Sequence, residues 1–177
     1  MSEVENRAKE RRDWAEAVRL THYSRADWFR TANNAIGVAA VVLSAVVSAG
    51  ILTSIHNAPS FWWTVAAGIV GVGATSLTAI RAYLKLDELS KQHRLSAADF
   101  GRIQSRLDSL VLEHPPNDPG SRQRLDAILA DIPNLEKEAP GYPARVFHRK
   151  YISLKKAKPR ASLWASWRQA MKTTGQG

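Results

Sequence analysis

Hydroxyl and small side chains recur at helical spacing inside an apolar stretch. Ser44 and Ser48 stand four residues apart with Ala40 one turn before them, and Thr64, Gly68, Gly71, Thr75 and Thr78 fall on a second stripe. Between Ala35 and Ile80 the only titratable side chain is His56. Lipid gives helices no hydrophobic reason to associate, so small and hydroxyl-bearing residues there mark where helices approach closely. Two readings follow. The stripes pack one hairpin, with Ala67 and Gly71 as a further small-xxx-small pair, or they line a conduit. Two helices cannot enclose a channel, so a conduit needs several hairpins closed into a ring, with cyclic symmetry. Its lining would carry no charge, making it weakly selective and closed by dewetting of an apolar constriction.

Other chemistry is poorly served. Gly71-Val72-Gly73-Ala74-Thr75-Ser76 has the glycines of a phosphate loop, but it lacks the lysine, follows no strand and lies inside an apolar run. No Gly-x-Ser-x-Gly elbow and no nucleophile-base arrangement stands out. The chain has no cysteine, and its five histidines show no metal-ligand spacing. The expectation is a protein that is not an enzyme and has no cofactor or metal. Arg94, Arg102 and Arg106 share one helical stretch with Asp99 and Asp108, which favours a solvated, ion-paired face over a phosphate grip.

The elements that must position these residues are read from the apolar runs. Ala35 to Ile55 and Phe61 to Ile80 each have about the 20 residues that cross a hydrocarbon core of roughly 30 Å as a helix. Only His56-Asn57-Ala58-Pro59-Ser60 separates them, so they form an antiparallel hairpin in lipid. Arg25 and Arg30 precede the first run, Arg81 and Lys85 follow the second, and the loop has neither Lys nor Arg. The positive-inside rule puts both termini of a multi-pass membrane protein in the cytoplasm and only the Pro59 turn outside. The first run reads as a retained anchor and not as a cleaved signal, because its flank is long and carries both signs of charge.

Residues 3–34 lack Pro and Gly and read as a helix supported by Glu3/Arg7 and Glu5/Lys9 pairs, running straight into the first span. Trp14, Ala17, Thr21, Ser24 and Trp28 form one stripe of it, with Trp28 either at headgroup level or simply packed. The second span is expected to continue unbroken from Arg81 to about Glu113. There Leu86, Leu89, His93, Ser96, Phe100, Ile103, Leu107 and Leu110 repeat as a heptad seam, which either joins chains or faces inward within one chain's bundle. Pro115 to Gly120 breaks the helix. Ser121 to Asp131 follows, then Pro133 and a separate segment from Leu135 to Ala139, and Pro143 begins a last helix through Val146, Phe147 and Tyr151.

The net charge of +9 is concentrated: residues 1–140 balance at sixteen of each sign, and 141–177 hold nine cations and no acid. Lys155, Lys156, Lys158 and Arg160 with Trp164 and Trp167 suit a tail lying on an anionic leaflet; the alternative is a tail whose tryptophans dock on a partner, and stacking on single-stranded nucleic acid has no other support. The fold class is all-α: a two-transmembrane helical hairpin whose long helices extend into a cytosolic helical bundle. Its parts are 1–34 (N-terminal helix), 35–80 (hairpin), 81–152 (cytosolic extension) and 153–177 (basic tail).

The ordered set His22-Tyr23-Ser24-Arg25-Ala26 with Phe29, Val42 to Ser48, His93 to Gly101, and Glu138-Ala139-Pro140 with Pro143 resembles the SLATT domain family. Phe100 stands where that family tends to have Tyr. The resemblance covers roughly residues 10–152. It implies a membrane effector of a bacterial anti-phage conflict system, associated with enzymes that make nucleotide second messengers and with domains that sense them. The implied output is disruption of the membrane by a homo-oligomeric pore and abortive infection, with a second messenger or an upstream sensor protein as partner. The competing reading is a non-conducting anchor that presents its cytosolic helices to a partner.

Overall fold

The structure, a computed structural model, describes residues 3–56, 61–113 and 119–156. Every regular element among them is helical: α1 Glu3–His56, α2 Phe61–Leu84, α3 Leu86–Glu113, α4 Pro119–Glu138 and α5 Ala144–Lys156. α1 runs through the charged N-terminal segment and the first apolar run without a break. The Glu5–Lys9 pair closes at 2.6 Å, whereas Glu3 faces Arg122 at 3.8 Å.

The expected continuous helix from the second span to Glu113 is interrupted. Lys85 has φ 43°, the left-handed region, and divides α2 from α3. A residue in that conformation ends a helix as a C′ cap, a role that usually falls to Gly because a Cβ there meets the neighbouring carbonyl. Lys85→Gly is therefore expected to stabilise the fold by about 1 kcal/mol, read as a raised midpoint of thermal unfolding in micelles. An unchanged or lowered midpoint would refute the strain.

The expected break at Pro133 is absent: α4 carries Pro133 in its interior. A proline inside a helix costs about 3 kcal/mol through a lost hydrogen bond and a clash with the preceding turn. Leu125, Ile128 and Ile132 before it are buried and Leu135 after it packs on the same core, so both halves are held in line. The Ala139 amide donates to the Leu135 carbonyl at 2.9 Å and closes the end. The Val146 amide donates to the Pro143 carbonyl at 3.0 Å, so Pro143 caps α5 as its fixed φ suits.

The chain divides into two compact units. The first comprises residues 3–22, the helix from Ser96 onward, α4 and α5. Its core is Ala8 and Ala15 of α1, Ile103, Leu107 and Leu110 of α3, and Leu125, Ile128 and Ile132 of α4, with Trp14 packed against them. Alanines on α1 let α3 and α4 approach, and the leucines fill the space between. A ring stack adjoins this core. His22 lies flat on Phe100 at 5.8 Å and edge-on to Tyr142 at 5.0 Å, and Trp14 meets Phe100 edge-on at 5.8 Å. Burial, and secondarily Glu136, pushes the Tyr142 hydroxyl above its ordinary pKa.

The second unit, residues 23–95, is one antiparallel helix pair. α1 carries it up, α2 returns, and the start of α3 continues down the same partner. Ser90 Oγ donates to the Ala26 carbonyl at 2.9 Å, Arg81 Nε donates to Asn33 Oδ1 at 2.9 Å, and Trp63 approaches Gly50. A Cβ on Gly37 would meet the Arg81 guanidinium at 2.9 Å, so the missing side chain leaves the slot in which Arg81 lies.

The apolar runs are not folded away in a protein interior. None of the apolar window of α1 is buried within the chain, and only 6% of that of α2. Val38, Val41, Val42 and Val46 on α1 and Ile69 and Val72 on α2 are each more than half exposed. That much bare aliphatic surface on two helices of span length is stable when acyl chains cover it.

Candidate functional site

The two hydroxyl stripes meet. Ser44 and Ser48 of α1 and Gly71, Thr75 and Thr78 of α2 line one groove of about 590 Å³ between the helices. Thr64 and Gly68 stand apart from it, exposed on α2 nearer the turn. Val47, Ala74, Ala79 and Ala82 complete the walls. Ala74 is the buried contact point of α2, and an alanine in an apolar run gives no sign in the sequence that it will be one.

Each hydroxyl turns its proton back onto its own helix. Ser44 donates to the Ala40 carbonyl at 2.8 Å and Ser48 to the Ser44 carbonyl at 2.9 Å. Thr75 donates to Val72 at 2.9 Å, with Gly71 at 3.1 Å as a second acceptor, and Thr78 donates to Ala74 at 3.0 Å. The donors are thereby satisfied without water, as hydroxyls in a spanning helix must be. Oxygen lone pairs are left toward the groove. Among the described residues no charged side chain lines it.

The glycines leave room. A Cβ placed on Gly68, Gly71 or Gly73 meets nothing within 4 Å. Among the described residues, close approach inside one hairpin therefore does not demand these positions.

The heptad residues are placed inside the chain along most of their length. Leu86, His93, Phe100, Ile103, Leu107 and Leu110 are each less than a tenth exposed, while Leu89 and Ser96 are half-buried. The structure distributes them over both units. Phe100 joins the ring stack, Ile103, Leu107 and Leu110 join the core, and His93 lies flat on Phe29 at 5.5 Å. Arg25 sits over Phe29 and Trp28, 5.1 Å from each ring.

Burial, and then the charge of Arg25, holds the His93 imidazole below its ordinary pKa of 6.5. Its folded form resists a proton that the unfolded chain accepts. The unfolded state thus binds more protons once the pH falls below about 6.5, and stability drops with it, by at most about 1.4 kcal/mol per pH unit. Acidification from pH 7 toward 5 is expected to loosen the α1–α3 pairing, seen as faster amide exchange at residues 86–95. His93→Gln is expected to flatten that dependence, and an unchanged slope in the variant would refute it.

The three arginines of α3 each have a carboxylate. Arg94 meets Asp27 at 3.3 Å, Arg102 meets Asp99 at 3.0 Å, and Arg106 meets Asp131. Asp108 pairs with Arg12. Among the described residues no group of three or more metal-ligating side chains converges. Of the tail, Lys155 and Lys156 end α5, whereas Lys158, Arg160, Trp164 and Trp167 lie outside the described residues.

Residues 16–160 match the model of a family described as SMODS and SLOG-associating 2TM effector domain family 4. No curated protein and no solved structure matches the chain. The match covers both apolar helices and the helices that follow them, in an all-α chain whose bare aliphatic runs have span length. The chain belongs to this family of two-transmembrane effector domains, and is a membrane protein of that class.

Proposed function

We propose that this protein is the membrane-disrupting effector of a bacterial anti-phage conflict system. It assembles as a homo-oligomer in the inner membrane, both termini cytoplasmic, and opens a conduit when its cytosolic helices are triggered by a nucleotide second messenger or an upstream sensor. The observation that carries the reading is the groove. Four hydroxyls and Gly71 face one another across a cleft in surface that otherwise suits acyl chains. Polar oxygens and empty glycine positions on such a surface are best used where another helix or water reaches them. Several hairpins arranged with these grooves inward would surround a lining of oxygen lone pairs and small side chains.

The test is release of a trapped dye from liposomes carrying the activated protein. Leakage that rises with protein density supports the conduit, and tight vesicles at every density refute it. The competing reading, a non-conducting anchor for a cytosolic binding module, draws on the deep burial of Leu107 and Phe100 within the chain's own bundle. Burial there leaves the lower seam less surface for joining chains. Mass measurement of the detergent-solubilised particle separates the two, because a monomer cannot conduct.

A further inference from the structure

The helix α5 has a face that none of the described residues covers. Arg145, Arg149, Ile152 and Lys156 follow one another at spacings of four, three and four, which sets them on one stripe, with His148 and Lys155 beside it. All six are exposed. The opposite side, Val146, Phe147, Tyr151 and Leu154, is half-buried, and Phe147 contacts the Tyr142 ring at 6.1 Å and Tyr151 at 5.7 Å. α5 is thus already seated on its own unit by its aromatic side. Its outward side holds cations around a single aliphatic residue. The helix contains no acid, and none of its cations has a carboxylate partner within 4.0 Å among the described residues. Four arginines elsewhere in this unit, Arg12, Arg102, Arg106 and Arg122, do face carboxylates.

We propose that this stripe is a docking surface for the anionic lipid headgroups of the membrane that the chain itself spans. Three features select that occupant. Charge complementarity requires an anion, since the stripe carries like charges over about 16 Å with no carboxylate among the described residues to neutralise them. A nucleic acid bound as single strands would want aromatic platforms, and the aromatic side of α5 is turned inward. α5 belongs to a chain anchored in a bilayer by its two spanning helices, so weak contacts suffice, and Ile152 at the centre can enter the acyl boundary while the cations stay among phosphates. The surface begins ten residues before the Lys155 tail seen in the sequence and is part of an ordered helix. It depends on the two spans and not on the conduit.

The chain has no cysteine, so Ile152→Cys gives one unambiguous attachment point for a polarity-sensitive dye. The labelled protein is reconstituted in vesicles of phosphatidylcholine alone and of phosphatidylcholine with phosphatidylglycerol. The expected result is a blue-shifted emission and protection from an aqueous quencher only when phosphatidylglycerol is present. Arg145→Glu with Arg149→Glu should abolish both, and about 1 M salt, where screening acts over about 3 Å, should also reverse them. Each cation removed should weaken the docked population roughly fivefold. Far-UV circular dichroism checks that the exposed substitutions leave the helices intact. Equal emission in both lipids overturns the proposal, as does a shift that appears on adding RNA to phosphatidylcholine vesicles. Dye release is recorded from the same vesicles. A shifted label without leakage counts against the conduit alone, and leakage without a shift counts against this surface alone.

Discussion

Gly71→Leu is expected to reduce dye release to that of protein-free vesicles while leaving the helical content and the fold of the single chain intact. The reason is that the described residues of its own chain stand clear of this position. A Cβ on Gly71 has no neighbour within 4 Å, so the space it would enter is the groove itself, opposite Ser44 and Ser48. A branched aliphatic group there replaces a wettable lining with a constriction that expels water. Thr75→Leu should act in the same way, by also removing an oxygen from the wall. Gly71→Ala should be tolerated by the single chain, and any loss of leakage from so small a change would place the contact between chains. Full leakage with Gly71→Leu would show that the groove is not part of the conduit.

Leu107→Asp is expected to unfold the cytosolic bundle. Leu107 is fully buried between α1, α3 and α4. Removing a leucine from such a place costs about 2–5 kcal/mol through lost burial and the cavity left behind. A carboxylate in the same apolar space adds a desolvation cost that no partner offsets. Together these approach the whole stability of a small domain, about 5–15 kcal/mol. Loss of the cooperative thermal transition, and loss of slow amide exchange over 96–135, are the readouts. Leu112, only two residues beyond Leu110, is half exposed, so Leu112→Asp should shift stability by no more than about 0.5 kcal/mol. The pair of variants also decides what the lower seam does. A Leu107→Asp protein that stays folded but falls to a monomer would mean that the seam joins chains, and one that melts means that it holds a single chain together.

How far the residues foretold these arrangements depended on the range of the interaction. The spans were legible because an uncharged run of span length has few alternatives, and its exposure in the structure matches a lipid-facing surface. The ion pairs of close sequence neighbours were legible for the same reason: Glu5–Lys9 and Asp87–Lys91 are one turn apart on any helix. In the latter the Lys91 hydrogen bond holds the Asp87 carboxyl below its usual range. Arg106 was not legible, since its carboxylate comes from Asp131 on another helix, and neither was the slot that Gly37 leaves for Arg81.

Local rules also misled at two points. Pro133 was expected to end a helix and does not, because burial on both sides of it outweighs the penalty. Lys85 was expected to continue one, and instead adopts the backbone of a cap. In each case packing over several turns overrode the preference of one residue.

By itself the sequence determined the class of this protein: all-α, two apolar helices joined by a turn, and a helical extension, because period and length are properties of a segment alone. Tertiary structure decided which stripes face each other. Ser44 and Ser48 reach Gly71, Thr75 and Thr78, whereas Thr64 and Gly68 on the same expected stripe do not. It also decided that Leu107 looks into its own bundle and that the cations of α5 look out. A heptad or a basic stripe states that a face exists, and only the position of the neighbouring helices fixes whether that face is covered.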